Sequence, residues 1–510
     1  MTLGGELPKG NVVLFVEGPS AMLAGFDLHG GGPVIAMRAN PGDPFGKVLV
    51  VAGDYGMQLV TAAQSLALEN NLLQGPTVHV SDFQLPAARQ ADDAPLWLRT
   101  DRISPLWNYS VDQALQSDGS GALPVYLRVP PDLYVGDTTT LPLRLDYRYN
   151  AVPLAAGSTM RVSANGSLVN ELPLPQRDNP KQMLNATVAV PLVSMRPFAN
   201  TFLFNFFFQI PKMGQCRNNP PINLQGALLR SSYLDLRGLN HWAAMPNLEL
   251  FANAGFPFTR FADLSQTDIV LPPTASSGEI GLYLMLVSYF AEQTGYPALR
   301  LHIGAPANMG KDADYLIIGT PEDQPAFDQL NQHLPITVAR DGVSVQDTNG
   351  FFAAVQSVWW QVAEMRPEWW WKVTGANQKA GLIASLGEYP DAVIQGIESP
   401  WSRNRSVVTI TIKNDGAARA FAAAFLKTSG SANISDSVSV LQGSDFTSYR
   451  LGDTFYQVGH LPWWTQVEYR LREFPWLIVL LTFVLGLVVV PWTRARLDHR
   501  TQTRLEGRPI

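Results

Sequence analysis

The stretch GPVIAMRANPGDPFGKVLVVAGDYGMQLVTAAQSLAL, residues 32–68, carries the signals of an α/β unit. Two runs rich in β-branched residues flank a turn at Pro41, and an alanine-rich segment with the apolar spacing of an amphipathic helix follows. A second stretch, DAVIQGIESPWSRNRSVVTITIKNDGAARAFAAAFL at residues 391–426, repeats this order of features with Pro400 in the turn. The chain is therefore predicted to contain two copies of one α/β domain.

The flanking segments extend the correspondence between the two copies. NVVLFVEG pairs with DYLIIGTPED, and the short runs PTVHVS and SVSVLQ follow the two helices. These matches make residues 48–51 and 407–410 equivalent central strands. The second copy, residues 248–445, also has a further segment at its start that has no counterpart in the first copy, residues 1–85. We predict parallel, doubly wound sheets of the flavodoxin-like kind, with the first copy incomplete.

Between the copies, residues 86–247 comprise a linker followed by many short segments separated by Pro, Gly and Asn. Several of these segments alternate apolar and polar residues, as strands with one buried face do. The pair Asn165-Gly166 is typical of a tight hairpin turn. Short strands without a long helix predict a β-sandwich of the jelly-roll kind.

Composition excludes several classes of function. The net charge of −6 over 510 residues argues against a nucleic-acid partner. The seven histidines show no metal-ligand spacing, and no serine-hydrolase elbow is present, so we predict no metal, cofactor or catalytic residues. The single cysteine, Cys216, has no partner for a disulfide within this sequence, although a longer chain can supply one.

Two short motifs resemble binding sites but favour structural interpretations. The glycine cluster HGGGP, residues 29–33, leads into a strand and not into a helix, so it lacks the geometry that binds a phosphate. The motif ADDAP, residues 91–95, carries adjacent aspartates, which on a loop are usually solvated. A pair of carboxylates that acts on glycosides is defined by its separation in space, so one sequence does not decide its presence.

The C-terminal end of the sequence has the features of a membrane anchor. Residues 474–492 carry no charged side chain, and as a helix they span about 28 Å, close to the ~30 Å apolar thickness of a bilayer. Trp476 and Trp492 stand near the two ends, where indoles prefer the interface. The preceding residues, 446–473, are predicted to form a hairpin and an amphipathic helix that lies in the membrane interface.

The tail, residues 493–510, contains Arg494, Arg496, Arg500, Arg504 and Arg508. Since positive residues stay in the cytoplasm, the tail is expected there and the rest of the chain outside it. Export requires an N-terminal signal, and MTLGGELPKG does not resemble one. We therefore expect the sequence to begin partway into a longer protein.

Aromatic residues are the strongest candidates for binding. A tryptophan-rich insertion, residues 357–373, favours either packing on its own domain or docking to a partner. Around the sandwich, aromatic rings that can stack on sugars or pack in the core are Trp97, Trp107, Tyr134 and Trp242. The candidate interface with a partner or a membrane comprises Trp463, Trp464, Val467, Arg470, Leu471, Arg472, Trp476 and Trp492.

Taken together, these residues resemble a known family. The stretches LPVYLRVPPDLYVGDTTTLPLRLDYRYN, STMRVSANGSLVNELPL and GFPFTRFADLSQTDIVLPP, with the α/β repeats, are similar to the regulatory B subunit of bacterial cellulose synthase. The resemblance covers nearly the whole chain. It implies a multidomain α+β fold, with the jelly-roll-like sandwich between two flavodoxin-like domains, then an interfacial helix and one transmembrane helix.

The resemblance also implies a non-catalytic subunit of the inner membrane, with its bulk in the periplasm. Its expected partners are the catalytic subunit of the synthase, the cellulose polymer (a β-1,4-glucan) and membrane lipid, and self-association through the periplasmic domains is left open. The family is also labelled as binding cyclic di-GMP, but we expect no nucleotide site here. The alternatives are a membrane-tethered glycan hydrolase and a flavodoxin-like electron carrier, although FANAGFPFTR, residues 251–260, does not resemble a flavin phosphate loop.

Overall fold

The computed structural model describes most of the chain. The described residues are 7–18, 31–68, 74–110, 115–118, 121–150, 154–176, 182–211, 224–339, 342–345, 390–451, 456–473 and 476–505, with single positions at 26, 28, 179 and 507. The tryptophan-rich insertion and Cys216 lie outside these residues, so the expectations that concern them stay predictions.

The first α/β unit is a four-stranded sheet in the order β1-β3-β2-β4. Its alternating β-branched residues give it two apolar faces: Val48 and Val50 are buried on one, while Ile35 and Val51 pack against Ala62 of the helix on the other. The elements are β1 Val12–Glu17, β2 Val34–Asn40, β3 Asp43–Gly53, α1 Gly56–Leu68 and β4 Thr77–His79.

The middle of the chain forms the predicted sandwich of two antiparallel sheets. One sheet has the order β10-β9-β12-β6, and the other has β11-β8-β13-β5 with β14 beside β8. The strands are β5 Gln116–Asp118, β6 Ala122–Arg128, β7 Leu133–Tyr134, β8 Thr140–Tyr149, β9 Thr159–Ala164, β10 Ser167–Pro173, β11 Leu184–Pro191, β12 Ala199–Phe207, β13 Gln225–Leu228 and β14 Tyr233–Leu234.

The alternation predicted for these strands sets the core of the sandwich. Residues of every second position, such as Leu143 in β8 and Phe204 in β12, are fully buried between the two sheets. The Asn165-Gly166 turn joins β9 to β10, and both residues have positive φ angles of 50° and 84°. This backbone is the one that a two-residue hairpin turn requires, so the predicted hairpin is confirmed.

The second α/β unit contains a seven-stranded sheet in the order β17-β16-β18-β22-β21-β23-β24, and a separate hairpin pairs β19 with β20. Its strands are β15 Asn240–Met245 at the entrance, β16 Thr267–Val270, β17 His302–Gly304, β18 Asp314–Gly319, β19 Ile336–Ala339, β20 Gly342–Val345, β21 Ala392–Glu398, β22 Ser406–Ile412, β23 Val438–Gln442 and β24 Asp445–Tyr449. The helices are α2 Leu248–Ala254, α3 Ser277–Thr294, α4 Ala326–Leu330, α5 Asp415–Phe425 and α6 Thr428–Ser431.

The prediction of parallel sheets is correct for only part of each sheet. Strands β17, β16, β18 and β22 pair in parallel, whereas β21, β23 and β24 are antiparallel to their neighbours. The physical reason is the proline turn: a short connection such as the one through Pro400 joins neighbouring strands only when they run in opposite directions.

The repeat itself is confirmed by the pairing of strands. In the first sheet β3 lies between a parallel β1 and an antiparallel β2, and in the second sheet β22 lies between a parallel β18 and an antiparallel β21. The register also agrees, because Val51 pairs with Ile35 as Ile410 pairs with Ile394. The two proline turns therefore occupy equivalent places.

The C-terminal part begins with a strand that pairs with β15, the strand at the entrance to the second α/β unit. Strand β25 Tyr456–Gly459 pairs with β15, and the helices α7 Trp463–Glu473 and α8 Trp476–Leu505 follow. Helix α8 includes most of the predicted span and continues into the basic tail. No helix within the described residues combines the length and the apolar character that crossing a bilayer requires.

Candidate functional site

A small three-stranded sheet brings distant parts of the chain together. Its order is β25-β15-β7, so one strand comes from the sandwich, one from the entrance to the second α/β unit and one from the segment before α7. The tight pairing of β25 with β15 requires Gly459, since a Cβ there would lie 2.2 Å from the His241 carbonyl oxygen. This sheet fixes where α7 starts.

Helix α7 presents an apolar face to the outside. Trp463, Trp464 and Val467 are 77 %, 59 % and 49 % exposed, whereas Thr465 on the opposite face is buried. The spacing of the three exposed residues places them on one side of a helix. Two indoles and a valine side by side form a contiguous exposed apolar patch, and such a patch marks a candidate site of contact.

The inner face of α7 packs on two of the predicted glycan-binding rings. Tyr469 meets Trp242 edge-on with 4.6 Å between ring centroids, and Trp242 in turn meets Tyr134 at 5.4 Å. Trp242 is buried within this cluster. The ring of Trp242 therefore holds the helix in place, and its faces are not free to stack on a sugar.

The remaining two predicted rings also have protein partners. Trp97 is fully buried, donates its indole N–H to the Gln293 carbonyl oxygen at 3.0 Å and packs edge-on against Phe198. Trp107 is partly buried, and the Arg230 guanidinium lies 3.8 Å above its ring. Burial argues against glycan stacking by Trp97, which instead joins the sandwich to helix α3.

The structure describes the side chains of only some of the other predicted interface residues. Trp492 is exposed, with the Arg496 guanidinium 4.9 Å from its ring. The side chains of Arg470, Leu471, Arg472 and Trp476 lie outside the described residues. Their part in an interface stays a prediction.

A polar cluster lies on the other side of the same strand pair. His241 precedes Trp242 in β15, so the two side chains point to opposite faces of the sheet. The His241 Nδ1 atom lies 2.9 Å from Asp132 Oδ1 and 3.6 Å from Asp92 Oδ2, and its Nε2 atom lies 2.8 Å from Thr100 Oγ1. Three segments of the chain thus contribute polar groups to one point.

The electrostatics of this cluster reflect its burial. Desolvation and then the neighbouring charge of Asp132 raise the pKa of Asp92 to about 7, against the opposing effects of His241, Arg260 and Arg99. Desolvation lowers the pKa of His241, but the hydrogen bond and charge of Asp132 and the charge of Asp92 outweigh it and leave this pKa raised. Both groups therefore bind a proton more readily than the free side chains do.

The expectation that the ADDAP aspartates are solvated is wrong for Asp92, whose side chain is 11 % exposed. The linker folds back onto the second α/β unit, where Ala91 bridges to Phe261 and the Asp92 N–H donates to the Arg260 carbonyl oxygen. Sequence spacing gave no signal of the cluster, because His241 and Asp132 are 109 positions apart. In the sequence, only the adjacent aspartates of ADDAP pointed to this cluster.

A cleft of about 530 Å³ lies at the carboxyl ends of the parallel strands, where doubly wound sheets bind ligands. Its lining is mainly acidic and polar and includes Glu322, Asp323 and Asp415, with Lys413 as the basic residue. Carboxylates in this number repel a phosphate group. The cleft therefore does not favour a flavin or a nucleotide.

Comparison with known families agrees with this architecture. Three family models match in order along the chain: "Cellulose synthase BcsB, first FD domain" at residues 2–80, "second CBM domain" at residues 104–233 and "second FD domain" at residues 241–410. These ranges correspond to the first α/β unit, the sandwich and the second α/β unit.

Curated relatives extend over nearly the whole chain. A cyclic di-GMP-binding protein of Pseudomonas fluorescens is 31 % identical over 95 % of this chain and 66 % of its own length, and one of Xanthomonas axonopodis pv. citri is 32 % identical over 98 % and 65 %. Cellulose synthase 2 of Novacetimonas hansenii is 28 % identical over 93 % of this chain and 30 % of its own length. The chain thus spans less than two thirds of the length of each of these relatives. With three successive domain models in the same order as its folded units, the chain belongs to the BcsB family of cellulose synthase subunits.

Proposed function

We propose that this chain is a non-catalytic, regulatory part of a bacterial cellulose synthase, which supports the catalytic glycosyltransferase subunit at the inner membrane. The observation that carries the proposal is the exposed apolar face of α7, formed by Trp463, Trp464 and Val467. This face lies immediately before the apolar α8, and its inner side is locked to the body by Tyr469 and Trp242. A helix that packs on the folded body with one face and exposes its other face can connect that body to a membrane-bound partner.

In this proposal α7 lies at the membrane surface, in contact with the catalytic subunit, and α8 anchors the chain. The folded body lies in the periplasm and the basic tail in the cytoplasm. Arg496 beside Trp492 suits this arrangement, because indoles and arginines both favour the interface with headgroups. The cyclic di-GMP named for the relatives would then act on the assembled synthase through the catalytic subunit.

The sandwich is proposed to guide the emerging β-1,4-glucan. The support is the match of this unit to a family model named as a CBM domain, and one further ring on its surface. Tyr126 in strand β6 is 52 % exposed, so its face is accessible to a sugar ring in a way that those of Trp97 and Trp242 are not. Tyr134 and Trp107 remain candidates at the edges of their clusters.

A hydrolytic function is less well supported. Asp92 and Asp132 are close enough to suggest a pair of carboxylates that acts on glycosides, and the pKa of Asp92 is raised. However, the Asp132 side chain is fully buried, so a sugar ring cannot enter between the two groups. The acidic cleft likewise disfavours the electron-carrier alternative, because a flavin phosphate needs backbone N–H groups or cations.

The experiment measures glucan synthesis from UDP-glucose by the co-purified pair of subunits, with Trp463, Trp464 and Val467 all replaced by Glu. Burying an apolar side chain contributes about 1.5–3 kcal/mol, and about 1.4 kcal/mol corresponds to tenfold in affinity, so synthesis is expected to fall at least tenfold. A matched control replaces Phe45, Leu168 and Val193, which as a group are at least as exposed as the three α7 residues, by Glu. Full synthesis by the α7 variant, or an equal loss in the control, contradicts the assignment.

A further inference from the structure

The cluster of Asp92, Asp132 and His241 has the composition of a metal site. One ligand atom from each residue lies within 4.8 Å of the others, and the three residues come from the linker, the turn before β7 and strand β15. Imidazole nitrogen and carboxylate oxygen are the ligand types that bind divalent transition metals such as zinc. Calcium instead takes six to eight oxygen ligands, which this set does not offer.

Two carboxylate oxygens of the cluster are buried and accept no hydrogen bond from the described residues. Asp132 Oδ2 and Asp92 Oδ1 are both buried, and neither has a hydrogen-bond partner among the described residues. The Asp132 side chain is fully buried, although its other oxygen faces His241. Buried carboxylates are normally paired or bound to a metal, because an uncompensated charge away from water is costly.

The distances fit a single ion. Ligand atoms that bind one ion at about 2.0–2.1 Å lie roughly 2.8–3.4 Å from each other in octahedral or tetrahedral geometry. The separation of 2.9 Å between His241 Nδ1 and Asp132 Oδ1 falls within this range, and the 3.6 Å to Asp92 Oδ2 is slightly above it. All three atoms lie within 4.8 Å of one another, so shifts of at most about 1.4 Å bring them to the separations of ligands on one ion.

The surroundings of His241 also match those of a metal ligand. Its other ring nitrogen lies 2.8 Å from Thr100 Oγ1, so Nε2–H can donate to this hydroxyl while Nδ1 keeps its lone pair for a metal. Histidines that bind metals nearly always have such a second partner, which fixes the ring and its tautomer. The backbone carbonyl of His241 accepts from the His460 N–H at 2.9 Å, which holds the strand on the side of β25.

We propose that Asp92, Asp132 and His241 bind a divalent transition-metal ion, with zinc as the expected metal. His241 Nδ1 and one oxygen of each aspartate form its protein ligands, and water completes the coordination. The ion neutralises the two carboxylates. It also cross-links the linker, the turn before β7 and strand β15, against which α7 packs through Trp242. The site is structural and does not depend on the role proposed for α7.

The test uses the purified full chain, stripped of metal with a chelator and then dialysed against a slight excess of ZnCl₂. Bound metal is measured by mass spectrometry and the melting temperature by differential scanning fluorimetry. About one equivalent of zinc and a higher Tm are expected, with no comparable rise in MgCl₂ or CaCl₂. Asp132→Asn and His241→Gln are expected to weaken zinc binding more than about 100-fold, and Thr100→Val about 10- to 100-fold.

Controls separate this site from adventitious binding at the surface. Asp235→Asn removes a carboxylate from an exposed pair with Arg237, and His302→Gln removes an exposed imidazole, so both should bind zinc as the wild type does. Circular dichroism identifies variants that fail to fold, and Thr100→Val tests the site with every ligand in place. The proposal is overturned if the wild type holds no stoichiometric zinc, or if Asp132→Asn binds it unchanged; the cluster would then hold a shared proton instead.

Discussion

At the scale of single residues, the second α/β unit contains a buried acid that joins three strands. Asp314, the first residue of β18, accepts a hydrogen bond of 2.7 Å from the Ser406 N–H in β22, and the Arg405 Nη1 atom lies 3.3 Å from its other oxygen. The Ser406 hydroxyl in turn bonds to the Tyr456 hydroxyl of β25 at 2.6 Å. Desolvation outweighs these partners and raises the pKa of Asp314 to about 6.

This shift predicts a dependence of stability on pH. The folded pKa of about 6 exceeds the unfolded value of 3.8, so the folded state binds the proton more tightly between the two. The contribution of Asp314 to stability is fully present below pH 3.8 and is lost as the pH rises through about 6. In Asp314→Asn this dependence is absent, so Tm should fall less between acid and neutral pH than in the wild type. Parallel Tm profiles for the two proteins would contradict the prediction.

A second prediction at this scale concerns the core of the sandwich. Gly226 in β13 faces Phe206, and a Cβ at Gly226 would lie 2.5 Å from the ring, which is fully buried. Gly226→Ala should destabilise the protein by about 1–3 kcal/mol, as overpacking does in a closed core. Gly281→Ala is the matched control: it lies in helix α3 with open space around it, so it should stabilise by about 0.5–1 kcal/mol. Urea denaturation measures both, and equal effects would be inconsistent with the packing.

At the scale of elements, one side chain both caps helix α3 and connects it to strand β18. Ser276 and Glu279 form a capping box, in which the Ser276 hydroxyl accepts from the Glu279 N–H and the Glu279 carboxylate accepts from the Ser276 N–H. Glu279 is also buried, and its other oxygen accepts from the Thr320 N–H at 3.2 Å, directly after β18. The Glu279 carboxylate therefore accepts hydrogen bonds both at the N-terminus of α3 and directly after β18.

This geometry predicts different costs for two alanine substitutions. Ser276→Ala removes only the cap and should cost about 1 kcal/mol of stability. Glu279→Ala removes the hydrogen bonds that the Ser276 and Thr320 N–H groups donate to its carboxylate, and each bond to a charged group contributes about 1.5–3 kcal/mol, so the loss should be at least twice as large. Denaturant midpoints at constant m-value decide the order. A Ser276 effect equal to or greater than that of Glu279 would show that the link to Thr320 has no energetic importance.

At the scale of the whole molecule, the two α/β copies differ in how well their sheets are protected. The central strand β18 of the second copy is buried at every residue. In the first copy β1 is an edge strand, and its Val13 and Phe15 are 55 % and 58 % exposed. Within the described residues, the Gln64 Nε2 atom of α1 donates to the Leu299 carbonyl oxygen at 3.4 Å, and Arg300 Nη2 donates to the Pro86 carbonyl oxygen of the linker at 2.7 Å. An open edge with exposed apolar groups lowers local stability.

Native-state hydrogen exchange tests this difference. Amides of β1 to β4 should exchange at lower denaturant than those of β16, β18 and β22, because the smaller sheet opens without unfolding the larger one. The strands of the sandwich provide the internal reference, since their core is continuous. Equal protection in β3 and β22 would show that the two copies unfold as one unit.

The sequence by itself determined the repeat, the sandwich and the amphipathic helix, because each depends on a period that is local. Alternation in β8 and β12 identifies the buried face of each strand, and the matching proline turns identify equivalent strands. Helical spacing likewise predicted that Trp463 and Val467 share one apolar face of α7, and both are exposed there.

Only the tertiary structure decided which of these faces meet. The directions of β21 and β23, the burial of Trp97 and Trp242, and the joining of Asp92, Asp132 and His241 all depend on contacts between segments far apart in the chain. A local pattern states that a side chain lies on an apolar face or a loop, but it does not state what covers that face. Burial, and with it the pKa of Asp92 and the ligand set of the proposed metal site, is a property of the folded chain.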